Sequence, residues 1–305
     1  MTPAPARVVE MVAVGGRQIR FANPAKVLWP AAGFTKAELL AYYRAIATTF
    51  LAHIGRRPLT LGRWPDGVEE LGWLQTTCPH PPEWIPTHAV VRQKGSGPGR
   101  DYCIVNEEAA LVWVVNLGTI EFHGLLSRLP DVERPDTLMF DLDPGEGAGI
   151  AQCCAVALRL REILAGAGLE AAAKTSGQAG LHVAVPLAAG SATYALTKAY
   201  ARITAAALVA DRPDLVVDRM RRAERQGKVF VDWSQNDQHK STVAPYSLRA
   251  TPWPLVSTPL TWEEVEAGAA GRHLLLFDAA AVRRRLDTSG DLFRPVIDLD
   301  QRLPA

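Results

Sequence analysis

The stretch MFDLDPGEG, residues 139–147, sets two aspartates one residue apart at the end of an apolar run, then follows them with Pro144 and two glycines. The apolar run and the turn residues after it predict a strand over 136–142. Residues i and i+2 of a strand face the same way, so Asp141 and Asp143 share one face. Carboxylates that close repel one another unless an open turn or a cation relieves them.

Outward from this strand, the pattern predicts a helix over 150–167 stopped by Gly168, a strand over 171–175 and a strand over 181–187. A helix over 191–210 and a strand over 228–233 follow. The order β-α-β-β-α-β is the ferredoxin-like split βαβ plan. Its sheet order, 4-1-3-2, sets the first strand between the third and fourth and antiparallel to both. Asp141 and Asp143 then meet the turn SGQAG (176–180), His182 and Asp232 of VFVDW at one edge. Three carboxylates without a matching His or Cys set favour a hard cation, Mg²⁺ or Mn²⁺. Two such ions serve in-line displacement at phosphorus. The Gly-rich turn of KTSGQAGLH, with Ser176 and His182, offers backbone N–H groups to phosphate oxygens. A Mn²⁺-dependent glycosyltransferase also uses D-x-D but leaves the later motifs unexplained.

Before residue 130, TKAELLAYYRAIATTFLAHI (35–54) reads as one helix opened by a Thr35–Glu38 capping box. Strands are expected near 58–62, 89–93 and 101–105, then a helix over 107–117 and the strand TIEFH. QKGSGPGR (93–100) reads as a basic Gly-rich loop. After residue 260, a capping box at Thr261–Glu264 and a helix near 278–286 suggest a covering appendage.

At 305 residues, 48% hydrophobic and 21% charged, the chain can bury a substantial core. A net charge of +1 does not announce nucleic acid, so any such role needs a local basic surface. The four cysteines form no C-x-x-C pair, which suggests buried thiols in a reducing cytosol; Cys78 and His80 lack a second ligand pair for zinc. No run approaches the roughly 18 apolar residues of a membrane helix, and no targeting segment is read.

FDLDPG, SG-x-x-GLH, GKVFVDWSQN and APYSLRA, in that order, resemble the polymerase domain of bacterial ligase D end-joining enzymes, in the archaeo-eukaryotic primase superfamily. The resemblance runs from NPAKVLWP nearly to the C-terminus. It implies an α+β primase-polymerase fold over 1–305: an N-terminal α/β part (1–130), the βαββαβ catalytic part (131–260) and a helical appendage (261–305). It further implies template-directed addition of NTPs or dNTPs with two Mn²⁺ or Mg²⁺ ions and a preference for ribonucleotides.

By position, the resemblance makes Asp141, Asp143 and Asp232 the catalytic metal ligands. It assigns Ser176, Gly177, His182, His123, Arg225, Gln235, Arg249 and Arg63 to the incoming nucleotide. Lys26 and Lys36 match a pair that grips a 5′-phosphate, and Trp73 and Leu74 match an aromatic pair that stacks on template bases. Two departures remove charge near the triphosphate: Ala179 and Gly62 stand where basic residues are common. The implied partners are gapped, overhanging or broken duplex DNA, with a separate ligase and a Ku-like end-binding protein, in a bacterial nucleoid. The chain itself reads as a stand-alone member. Two rival readings are a non-catalytic end-binding module built on Lys26, Lys36 and the 93–100 loop, and a primase that starts chains anew.

Overall fold

The computed structural model describes residues 8–91 and 99–304. Most of the basic loop at 93–100, Lys94 included, therefore lies outside the described residues, while Arg100 bonds Thr76 Oγ1 at 2.9 Å.

The architecture is mixed α+β, with two six-stranded sheets at its centre. In the first, the order runs Val216–Val217, Val229–Asp232, Thr137–Pro144, Leu181–Pro186, Ala172–Thr175, Pro259–Leu260. The four middle strands are the expected 4-1-3-2 arrangement, and the Thr137–Pro144 strand is antiparallel to both neighbours. Helices Ile150–Gly166 and Tyr194–Asp211 make the two crossovers. Phe140 and Leu142 are fully buried, so the alternating face left to Asp141 and Asp143 looks away from that core.

The second sheet is ordered Ser241–Val243, Thr119–Leu125, Leu59–Arg63, Arg100–Cys103, Thr87–Val90, with Trp73–Gln75 also paired to Leu59–Arg63. Its first strand comes from beyond Asp232, so the chain leaves the first sheet, completes the second, and returns at Pro259–Leu260. One hydrophobic cluster spans both sheets, from Phe50 and Phe122 to Leu142 and Val231.

Two local readings change. The 35–54 helix is two helices, Lys36–Ala45 and Ala47–Ile54, broken at Ile46 in a run where β-branched Ile46, Thr48 and Thr49 weaken the turn. Cys78 and Cys103 are a disulfide rather than buried thiols. The Cys78 amide donates to Asp101 O at 2.6 Å, which lays its loop along the Arg100–Cys103 strand, a closeness that a separation of 25 residues hides. Cys153 and Cys154 are buried and free. Both capping boxes form as read, at Thr35–Glu38 and Thr261–Glu264, and the helix after the second one packs on Ile150–Gly166.

Candidate active site

Strand register lines up four polar residues across the first sheet: Lys174 faces His182, His182 faces Asp141, and Asp141 faces Asp232. Asp143 follows two residues on. Against this row lies an open cleft of about 530 Å³, lined by Asp141, Asp143, Ser176, Ala179, His182 and Arg225. Leu74, His123, Gln235 and Arg249 line it as well.

The row is short of compensation. His182 Nε2 stands 3.2 Å from Asp141 Oδ1 but off the hydrogen-bond direction, so that buried oxygen has no hydrogen-bond donor among the described residues. Burial pushes the Asp141 carboxyl up, and its neighbours His182, Lys174 and Arg249 outweigh it and hold it below the usual range. Asp143 has only Arg225 to help it, and that is not enough. Burial, then Asp141 and Asp232, drive it up to about 6. Asp232 Oδ1 accepts from Ser234 N at 2.9 Å, and Lys240 Nζ sits 3.3 Å from Oδ2.

Among the described residues no three His, Cys, Asp or Glu side chains stand at metal-ligating distances as placed. The donor set nevertheless fits a hard divalent cation: one carboxylate oxygen is buried without a donor, and its neighbour is strained by like charge.

The Gly-rich turn works differently from its reading in the sequence. The amides of Gln178 and Gly180 point inward to Ser176 Oγ at 3.2 and 3.1 Å. They are not offered to a phosphate; the Ser176 hydroxyl keeps its own proton to donate. Gly177 has φ +75°, and a Cβ there would stand 2.6 Å from Arg249 Cγ. Its lack of a side chain lets the arginine pass beneath the turn.

Glu121, unnoticed in the sequence, organises the opposite wall. It accepts from His123 Nε2 at 2.8 Å and from the Ala250 amide at 2.8 Å, and lies 3.2 Å from Arg249 Nε. Burial pushes Glu121 up, and His123 and Arg249 overcome it, so the buried carboxylate stays charged. Its spacing of two from His123 on one strand was the available signal. Lys174 and Lys240 also went unread; neither has a local spacing cue.

Several residues assigned from the resemblance have their side chains engaged within the fold. Lys36 is 7% exposed, and its ammonium donates to Ala22 O, Asn116 O and Asn116 Oδ1 at 2.8–2.9 Å. Three acceptors match three donors, so Lys36 is engaged inside the fold instead of facing a phosphate. Arg63 does not line the cleft: it donates to Leu117 O and Gln75 Oε1 and stacks on Trp73 at 5.0 Å. At Gly62 a Cβ would stand 2.8 Å from Glu121 Cβ, so packing bars the basic side chain common there. Gln235 lines the cleft, but its amide braces Ser241 O and Thr242 Oγ1.

Other candidates remain placed to meet a ligand. Lys26 Nζ lies at the surface, paired with Asp66 at 2.5 Å. Arg225 stacks over Phe230 at 3.7 Å beside Asp143. Trp73 and Leu74 are 42% and 59% exposed, outside the core, with Leu74 on the cleft.

A split βαβ sheet that presents converging carboxylates to an open cleft, opposite an arginine and a serine turn, defines a class: a carboxylate-centred site suited to phosphoryl groups. The family model described as LigD, primase-polymerase domain matches residues 35–293, and the chain belongs to that family. The multifunctional non-homologous end joining protein LigD of Mycolicibacterium smegmatis is 40% identical over 282 residues, covering 92% of this chain and 36% of that protein. Its Pseudomonas aeruginosa counterpart is 29% identical over 271 residues, covering 87% and 32%. The chain thus spans about a third of the length of these relatives. The polymerase domain from Mycobacterium tuberculosis ligase D, solved in complex with DNA, superposes with a TM-score of 0.85 at 34% identity, covering 93% of this chain and 99% of that one. No helix of the described residues is long and apolar enough to cross a membrane.

Proposed function

We propose that the chain adds nucleotides to the 3′-hydroxyl of a primer opposite a template, at short gaps or broken ends of duplex DNA, during end-joining repair. The observation that carries this is the carboxylate row: Asp141 and Asp143 line one cleft and Asp232 faces Asp141 on the next strand, with one oxygen lacking a donor and one carboxyl driven to about 6. Such unrelieved negative charge is what a cationic cofactor would neutralise.

These three aspartates would hold Mn²⁺ or Mg²⁺, whose chemistry when bound is to acidify a hydroxyl and offset triphosphate charge. The other groups serve the nucleotide. The Ser176 hydroxyl and the Arg249 guanidinium line the same cleft and are suited to phosphate oxygens. Glu121 holds Arg249 and His123 in place. Trp73 and Leu74, both exposed, are the candidates for stacking on a template base. Lys26, at the surface, is the candidate for a 5′-phosphate, with Asp66 as the partner it would exchange. A ribonucleotide preference, a ligase and a Ku-like partner in the bacterial nucleoid complete the reading.

The test is extension of a labelled primer on gapped duplex with and without a 5′-phosphate, using NTPs or dNTPs and Mn²⁺, for the native chain and Asp141→Ala. Extension that Asp141→Ala abolishes supports the reading. Absent extension with tight, phosphate-dependent binding would replace it by an end-binding module.

A further inference from the structure

His182 presents its two ring nitrogens to partners with opposite demands. Nδ1 lies 2.9 Å from Lys174 Nζ, and Nε2 lies 3.2 Å from Asp141 Oδ1. Lys174 is 1% exposed, and register sets it directly opposite His182. Its other partner is Ser257 Oγ at 2.7 Å. The Ser257 hydroxyl gives its own proton to Thr175 O at 2.8 Å, so toward Lys174 it can only accept.

Lys174 therefore donates to Ser257 and has a further N–H for His182 Nδ1, whether it is an ammonium or a neutral amine. At the far end of the ring Asp141 is an acceptor. A lone pair on Nε2 would face that carboxylate and be repelled. One tautomer suits both ends: a lone pair on Nδ1 for Lys174, and on Nε2 a proton, which a carboxylate attracts even without a hydrogen bond.

We propose that Lys174 is a positioning residue that locks His182 as the Nε2–H tautomer, so that the ring keeps a fixed donor on the cleft for a phosphate oxygen of the nucleotide. The identity of that anion rests on the polymerase reading; the tautomer does not. Lys174 itself touches no substrate, because His182 stands between it and Asp141 in the row. Burying an amine is costly, and a hydroxyl that already has an acceptor does not require one, which leaves the imidazole as the group that Lys174 serves.

The experiment uses the full chain labelled with ¹⁵N-histidine. Long-range ¹H–¹⁵N correlation reads the tautomer, and His182→Gln identifies the signals. The native chain is expected to show Nε2–H, and Lys174→Met a mixed or Nδ1–H ring. In gap extension, Lys174→Met should raise the nucleotide KM about tenfold with kcat within about twofold, the loss expected for one misaligned donor to a charged group. In the His182→Gln background the same substitution should change KM less than about twofold, since neighbours that act together are non-additive.

A native ring protonated on Nδ1, an unchanged tautomer in Lys174→Met, or an equal KM effect in both backgrounds would overturn the proposal. If Lys174→Met does not fold, Lys174→Gln, which keeps an N–H donor, must retain the Nε2–H ring, and its loss would overturn the proposal as well. A native chain that extends no primer defeats the polymerase reading, while the spectrum still decides the tautomer.

Discussion

The first-sheet wall of the cleft and the N-terminal part of the chain hold their charges in opposite ways. On the first-sheet wall, Asp141 Oδ1 is buried without a donor and Asp143 is pushed up to about 6 by its neighbours. In the N-terminal part, the cations that looked most like ligand contacts are sated: Lys36 by three oxygens, Arg63 by Leu117 O, Gln75 and the Trp73 ring. A group whose hydrogen bonds are complete stabilises the fold; a group left incomplete in a cleft stores a demand that a ligand can meet. Residue type alone does not separate these cases.

Asp141→Ala tests the incomplete side and carries the largest effect. Extension should fall by about 10³-fold, as for loss of one preorganised electrostatic group. Steady-state extension with unchanged circular dichroism checks it, and retained activity would break the contrast at its stronger end.

Lys36→Met should cost about 3 kcal/mol of stability, because it leaves buried oxygens without a donor. The 5′-phosphate dependence of the folded fraction should persist. Lys26→Met should do the reverse, with stability shifted by no more than about 1 kcal/mol for a surface pair and phosphate dependence lost. Urea melts and extension with and without the 5′-phosphate separate the two lysines.

The pH dependence sharpens the comparison through its sign. Asp143 keeps its proton in the folded chain up to about 6, while the unfolded chain releases it near 3.8. Between those values the folded state binds more protons, so this group's contribution to stability falls as pH rises and stays low above 6. Asp291, held low by His53 and Tyr246 against its burial, acts the other way and loses stability as pH falls below 3.8. Urea midpoints of native and Asp143→Asn chains from pH 4 to 7, without divalent ions, should converge at the acid end and part toward neutrality, with the variant more stable.

Ala179→Lys is expected to have the smallest effect. Ala179 lines the cleft, so a lysine there restores a charge the family commonly has. The nucleotide KM should drop about tenfold, the order of one charge-assisted hydrogen bond. Gly62→Lys should not do so, since its Cβ has no room beside Glu121 and Trp64.

Legibility followed the same division. The β-α-β-β-α-β order, its 4-1-3-2 sheet and the meeting of Asp141, Asp143, His182 and Asp232 could be read because period-two alternation and the handedness of crossovers are local rules with global consequences. Both capping boxes were read for the same reason. The second sheet was harder. Ser241–Val243 joins it from across the chain, and no local pattern in STV announces that partner.

By itself the sequence determined the scaffold of the carboxylate row and, through its ordered motifs, the family to which the chain belongs. Tertiary structure alone decided which charges are free to act. Lys36 met Asn116 across 80 residues, Glu121 met Ala250 across 129, and Lys174 met Ser257 across 83. Side-chain satisfaction is a property of what converges in space, and burial fixes its energetic weight, so neither can be read from spacing along the chain.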